Sequence, residues 1–148
     1  MRTLSFSENF ACTPQELFDA LHTPSALRSW WNANRVIIIP RTNGMYAAAW
    51  GEDEDDPEYV SSGIYRVYDP PYKSVIEDFR YYAKSDPADF EGLMSITYEI
   101  TARNSEVHLQ LTHTGIPEGA EADAYFEACT IGWVETLKNL KKYVEQHM

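Results

Sequence analysis

The chain has 148 residues, of which 44% are hydrophobic and 14% aromatic. This length fits a single domain over residues 1–148, and so much aromatic surface argues against a disordered chain. The net charge of −11 repels nucleic-acid phosphates, so we expect no nucleic-acid partner.

The sequence has no targeting or membrane-spanning signal. No apolar run approaches the ~20 residues of a spanning helix, and residues 1–7 do not resemble a signal peptide. Cys12 and Cys129 lie far apart without CxxC spacing, which favours free thiols in a reducing compartment and leaves a Cys12–Cys129 bridge open. We expect a cytoplasmic protein without membrane insertion.

Residues 3–31 predict one strand followed by two short helices. Residues 3–12 alternate between apolar and polar side chains, as a strand with one buried face does. Thr13 suits a helix N-cap, Pro14 the first helical position and Glu16 the third position of a capping box. A second helix start is predicted at residues 23–24, and this helix has room for two turns before the next strand.

Six more strands are predicted in the middle of the chain. β-branched runs, alternation and turn signals mark them near residues 35–40, 45–51, 59–68, 73–82, 94–101 and 107–112. The acidic residues 52–56 predict a solvated connection. Residues 85–92 predict a loop with room for a fragment of helix.

The C-terminal residues 121–148 predict one long helix. Its apolar stripe recurs in steps of three and four residues: Phe126, Thr130, Trp133, Leu137, Leu140 and Val144. Such a stripe needs an apolar cover, which consecutive antiparallel strands supply. The predicted fold class is therefore α+β, with a sheet of about seven antiparallel strands covering the long helix.

The order of several short segments resembles the START-like superfamily, and within it the group named for the activator of the ninety-kilodalton heat-shock protein ATPase. The segments are residues 14–21 and 27–31, the Asp69-Pro70-Pro71 turn, residues 109–117, and Gly132-Trp133 followed by Leu137 and Leu140. The chain departs from the family pattern at residues 39–44, 52–56 and 81–92. The resemblance implies a helix-grip fold, in which a curved seven-stranded sheet wraps the long helix and often leaves an apolar cavity.

Common catalytic and cofactor motifs are absent from the sequence. It has no G-x-S-x-G, G-x-G-x-x-G, P-loop or H-E-x-x-H pattern, so we predict no cofactor and leave open whether the protein is an enzyme. None of its four histidines form a pair with the spacing that metal ligands need on one element, since His108 and His113 point to opposite faces of one strand. We therefore predict no metal site.

Two titratable residues are predicted to face the long helix. His113 lies an even number of residues from Leu109 and Leu111, so it shares their face of the strand. Its imidazole needs a hydrogen-bond partner either in the core or on a ligand. Glu77 shares the parity of Val75 and Phe79, where a buried carboxylate would have a raised pKa. In the alternative register Glu77 faces solvent, because a one-residue bulge inverts the alternation.

Large aromatic side chains are the most informative set for function. They either fill the core or line a ligand cavity between sheet and helix, since Trp and Tyr suit both roles. Gly132 suggests a close approach of sheet or ligand to the helix, because glycine is unfavourable inside a helix. The predicted ligand-binding residues are Trp30, Trp31, Trp50, Tyr65, Glu77, Tyr98, His113, Cys129 and Trp133.

Three functions remain open from the sequence. The first is binding of a small apolar or aromatic molecule between sheet and helix. The second is an enzyme, such as a cyclase, isomerase or hydrolase, that uses His113, Glu77 or Tyr98 for proton transfer. The third, implied by the family resemblance alone, is a co-chaperone or protein-interaction module whose partner is a chaperone or a second copy of the chain.

Overall fold

The computed structural model describes residues 1–85 and 94–146. Within them the chain forms seven strands and three helices: β1 (Arg2–Phe10), α1 (Pro14–His22), α2 (Pro24–Trp30), β2 (Arg35–Ile38), β3 (Met45–Trp50), β4 (Tyr59–Asp69), β5 (Lys73–Ala83), β6 (Met94–Arg103), β7 (Glu106–Ile116) and α3 (Ala120–Gln146). Residues 86–92 of the loop predicted at 85–92, and the predicted helix end at 147–148, lie outside the described residues.

The strands form one antiparallel sheet in the order β1-β7-β6-β5-β4-β3-β2. The sheet is curved and the long helix α3 packs in its grip, which confirms the predicted α+β helix-grip class. Residues that alternate along the strands form a single buried cluster with the inward faces of the three helices. No helix in the described part of the chain is long and apolar enough to cross a membrane.

Local signals in the sequence account for the start of α1. The Thr13 side chain accepts a hydrogen bond from the Glu16 amide, and the Glu16 carboxylate accepts one from the Thr13 amide, each at 3.1 Å. Pro14 occupies the first turn, where its missing N–H costs nothing. The capping box predicted from the sequence is therefore confirmed.

The buried stripe of α3 differs from the predicted one in its first half. Trp133, Leu137, Leu140 and Val144 are buried as predicted, but Tyr125 is buried in place of Phe126, and Thr130 is exposed. From Tyr125 to Leu137 the stripe advances in steps of four residues, and each such step rotates it by about 40° around the helix. The stripe therefore winds around the helix instead of following one straight line.

Candidate functional site

A cavity of about 530 Å³ lies between α3 and the sheet. Its described walls come from the end of α2, from β3, β4, β5 and β7, and from one face of α3. The lining residues are Trp31, Trp50, Tyr59, Ser61, Phe79, Tyr81, Ala83, Ser85, His113, Ala124, Tyr125, Ala128, Cys129, Gly132, Trp133 and Thr136. None of these described lining residues is an Asp, Glu, Lys or Arg, so the walls are uncharged and largely aromatic.

Three tryptophans form one end of the cavity. The rings of Trp31 and Trp50 meet edge to face with their centroids 5.3 Å apart, and Trp133 is tilted against Trp31 at 6.0 Å. The Trp50 indole nitrogen donates a hydrogen bond to the Trp31 carbonyl oxygen at 2.9 Å. Because the three rings come from different elements and one is fixed by this bond, they form a wall in which each ring limits the movement of the others.

One face of α3, which includes Trp133, forms a second wall of the cavity. Tyr125, Cys129, Gly132, Trp133 and Thr136 follow each other in steps of four, three, one and three residues, so they share that face. The Tyr125 hydroxyl and the Cys129 thiol are hydrogen-bonded to each other. Burial raises the pKa of the Cys129 thiol to about 11, so this thiol stays protonated and is a poor nucleophile.

Gly132 leaves an open position in this helical wall. A Cβ atom built on Gly132 meets no atom within 4 Å. The close approach of the sheet that its sequence position suggests is therefore absent from the described structure. The missing side chain instead enlarges the cavity.

His113 contributes the most deeply buried polar group of the lining, with 1% of its surface exposed. The Trp133 indole nitrogen donates a hydrogen bond to His113 Nδ1 at 3.0 Å. In the part of the chain that the structure describes, Nε2 has no hydrogen-bond partner. Burial lowers the pKa of the imidazole to about 4, so His113 is neutral near pH 7.

Three tyrosines of the lining, Tyr59, Tyr81 and Tyr125, form a row of ring contacts. Tyr59 is partly exposed and its ring stacks on that of Tyr81, with the ring centroids 6.2 Å apart. The ring centroids of Tyr81 and Tyr125 lie 5.1 Å apart. Ala124 and Ala128, which are exposed residues of α3, also line the cavity. The lining therefore combines small side chains with aromatic rings at this part of the helix.

The structure brings five of the nine predicted ligand-binding residues together in this cavity. They are Trp31, Trp50, His113, Cys129 and Trp133. The other four, Trp30, Tyr65, Glu77 and Tyr98, do not contribute to its lining. Whether a ligand occupies the cavity stays a prediction.

Trp30, Tyr65 and Tyr98 are core residues. The Trp30 indole donates a hydrogen bond to the Ala20 carbonyl oxygen at 2.8 Å, which ties α2 to α1. Tyr65 and Tyr98 face inward as their strands predict, but the ring of His22 packs against both, with centroids 5.6 and 6.0 Å away. Helix α1 therefore covers the part of the sheet on which these tyrosines lie.

Glu77 is exposed, which contradicts the inward register predicted for it. Between Ile76 and Phe79, β5 contains one residue more than the paired segment of β6 between Ile96 and Met94. Asp78 takes a positive φ of 52° at this bulge. Ser74 and Ile76 therefore face inward before the bulge, whereas Phe79, Tyr81 and Ala83 do so after it. Of the three residues predicted for proton transfer, His113 lines the cavity, whereas Glu77 and Tyr98 do not. The described structure therefore does not bring the three together in one site.

Tyr125 and His22 are the important residues that the sequence reading missed. Tyr125 precedes Cys129 by four residues and Trp133 by eight, a spacing that places all three on one helix face and that could have identified it. His22 is buried, with Nδ1 2.7 Å from the Phe18 carbonyl oxygen and Nε2 2.8 Å from the Ser74 hydroxyl. His22, a fully paired core histidine, gave no signal because it ends a helix whose other buried residues are apolar.

Comparisons with known proteins agree with this architecture. A family model described as Activator of Hsp90 ATPase homolog 1-like protein matches residues 11–145. A search of curated proteins gives no match. Among solved structures, the chain is similar to a protein from Mesorhizobium loti with 16% identity and a TM-score of 0.78, each chain covered over 99% of its length.

Two further similar structures carry functional descriptions. The Aha1 dimer from Colwellia psychrerythraea is 14% identical with a TM-score of 0.77, over 98% of this chain and 97% of that one. An HSP90 activator from Plasmodium falciparum is 18% identical with a TM-score of 0.70, over 93% of this chain and 92% of that one. At these identities the likeness shows the fold. Since the family model spans nearly the whole chain, the chain belongs to the family of activator of Hsp90 ATPase homolog 1-like proteins.

Proposed function

We propose that this protein binds a small apolar or aromatic molecule in the cavity between α3 and the sheet. The observation that carries the proposal is the cavity itself, about 530 Å³ in volume and walled by aromatic rings from several elements. Pockets for small molecules commonly measure about 300–1,000 Å³ and are mostly apolar with a few polar groups.

The chemistry of the walls limits the ligand. A charged ligand would lose water on entry and would meet no opposite charge among the described lining residues, which is unfavourable. A flat aromatic ligand would meet edge and face partners in Trp31, Trp50 and Trp133. The proposed ligand is therefore uncharged at the part that enters the cavity.

The open position at Gly132 provides a direct test. We expect Gly132→Leu to fill the cavity and to weaken the binding of neutral aromatic compounds at least tenfold in isothermal titration calorimetry. Val134→Leu is the matched control, since Val134 is exposed on the outer side of the same helix. Equal binding by wild type and Gly132→Leu would contradict the proposal.

A co-chaperone role is the second candidate function. It is supported by the family membership and by the descriptions of the Colwellia and Plasmodium structures. The partner would be an Hsp90-type chaperone or a second copy of this chain. A cytoplasmic location, predicted from the sequence, belongs to this proposal, and the two free cysteines support it.

An ATPase assay separates this role from ligand binding. The co-chaperone role predicts that the wild-type protein stimulates the chaperone's ATP hydrolysis at micromolar concentration, and that Gly132→Leu stimulates it equally. No stimulation and no complex in size-exclusion chromatography with light scattering would contradict it. The same chromatography of the protein alone measures whether it dimerises.

A further inference from the structure

The hydrogen bond from Trp133 fixes the protonation pattern of His113. A neutral imidazole has one N–H donor and one bare acceptor nitrogen. Because the Trp133 indole is only a donor, His113 Nδ1 must be the acceptor. The proton of the neutral ring therefore lies on Nε2, and the free edge of the imidazole is a hydrogen-bond donor.

This donor is exceptional within the described structure. Apart from tyrosines and tryptophans, the buried residues with polar side chains there are His22, Ser61, Ser74 and His113. His22 and Ser74 bond to each other, and Ser61 bonds to the Tyr46 hydroxyl at 2.8 Å. Among the described residues, only His113 keeps a buried side-chain nitrogen without a hydrogen-bond partner, and leaving a buried donor unpaired is unfavourable.

The immediate neighbours of His113 do not replace a hydrogen-bond acceptor. The rings of Phe79 and Tyr125 stand nearly perpendicular to the imidazole, with centroids 5.8 and 6.0 Å away. A contact from N–H to an aromatic face is weaker than a hydrogen bond to oxygen. Both rings line the cavity together with His113. Because Nε2 itself is buried, one of these rings would have to move aside before a ligand atom could reach it.

The same geometry distinguishes between classes of ligand. The Nε2–H dipole would present its positive end to any ligand atom that reaches it, which disfavours a cation despite the surrounding rings. An anion would meet a neutral imidazole and no cationic side chain among the described lining residues. A neutral oxygen acceptor, such as a ketone, suits an uncharged donor in an aromatic site.

Building on the proposed function, we infer that the cavity selects neutral aromatic molecules that carry a carbonyl-type acceptor, and that His113 Nε2–H donates to it. His113 thus sets specificity, Trp133 positions it, and the tryptophan wall holds the aromatic part.

Benzophenone and diphenylmethane form a matched pair of probes, because they differ only in a carbonyl in place of a methylene. We expect benzophenone to bind wild-type protein about fivefold to tenfold more tightly in titration calorimetry, the value of one neutral hydrogen bond. His113→Phe should abolish the preference while it retains an aromatic ring. His108→Phe, on the opposite face of the same strand, should retain the preference.

Nitrogen-15 NMR of histidine-labelled wild-type protein provides a second test that needs no variant. We expect the His113 Nε2–H proton signal to move downfield with benzophenone and to move little with diphenylmethane. Equal affinity for the two probes, or tighter binding of benzyltrimethylammonium than of benzophenone, would overturn the inference while the proposed function stands. Failure of every aromatic probe to bind would overturn the proposed function and the inference together.

Discussion

His22 and His113 are both buried imidazoles, and they differ in how many of their nitrogens are paired. Both nitrogens of His22 have hydrogen-bond partners within the fold, whereas in the described part of the chain His113 has a partner, the Trp133 indole, on one nitrogen alone. Full pairing is the usual condition of a buried polar group. The unpaired nitrogen of His113 therefore marks a place beside the cavity where the fold itself supplies no hydrogen-bond partner.

Removing the Ser74 hydroxyl tests what full pairing contributes at His22. Ser74→Ala leaves His22 Nε2 without its partner at a fully buried position, so we expect the free energy of unfolding to fall by about 1–3 kcal/mol. Urea denaturation measures this change. Ser62→Ala, at a half-buried position on β4, is the control and should have a smaller effect. A Ser74→Ala variant as stable as wild type would show that His22 does not need this bond.

Gly132 and Gly119 both have open space where a side chain would begin, but their backbones differ. Gly119 has a φ of +110°, which disfavours any residue with a Cβ, whereas Gly132 lies inside α3. We expect Gly132→Ala to raise the free energy of unfolding by about 0.5–1 kcal/mol and Gly119→Ala to lower it. Thermal and urea unfolding measure both. A loss of stability in Gly132→Ala would mean that the space beside the helix is not free.

At the scale of elements, β5 shows why alternation did not identify every inward residue. One parity along the strand predicted Glu77 inside, and the alternative register predicted it in solvent. The bulge at Asp78 inserts one residue, so Ile76 and Phe79 both face the core although they are three positions apart. Asp tolerates a positive φ better than most residues, but its presence in a strand does not by itself predict a bulge.

Gly63 on β4 accommodates the bulged part of β5. A Cβ atom on Gly63 would lie 2.3 Å from Ile76 Cγ2 and 3.0 Å from the Glu77 carbonyl oxygen. Because one of these contacts is with backbone, Gly63→Ala must shift the strand, and we expect a loss of about 1–3 kcal/mol in the free energy of unfolding. Ser62→Ala is the neighbouring control in the same urea experiments. If Gly63→Ala were as stable as Ser62→Ala, the two strands would pack less tightly than the structure indicates.

At the scale of the whole molecule, strands, helices and their order were predictable, as was a cavity between sheet and long helix, but the stretch of sheet that borders the cavity was not. Caps, turns and alternation are local signals, and they predicted each element. Tyr65 and Tyr98 face the same side of the sheet as His113, yet His22 on α1 covers the first two and leaves the third beside a cavity. Which helix lies over which stretch of sheet depends on contacts distant in sequence, and residue patterns do not encode it directly.

The two buried histidines link stability to pH, because burial favours their neutral forms. It lowers the pKa of each to about 4 from an ordinary value of 6.5, although the Phe18 carbonyl partly opposes this at His22. The unfolded chain therefore takes up protons first as the pH falls. Between pH 6.5 and about 4 the unfolded state binds more protons than the folded state, so the free energy of unfolding decreases with decreasing pH.

We expect the free energy of unfolding to fall by about 2 kcal/mol per buried histidine between about pH 7.5 and pH 5, as measured by urea denaturation. His113→Phe removes one of the two groups, so the decrease attributable to histidine should be roughly halved. His108→Gln is the matched control, since His108 lies on the opposite face of β7 and bonds to Asn9, so the decrease assigned to His22 and His113 should remain in this variant. If His113→Phe lost as much stability as wild type over this range, the His113 imidazole would have to be accessible to protons in the folded protein, as a solvent-filled cavity would make it.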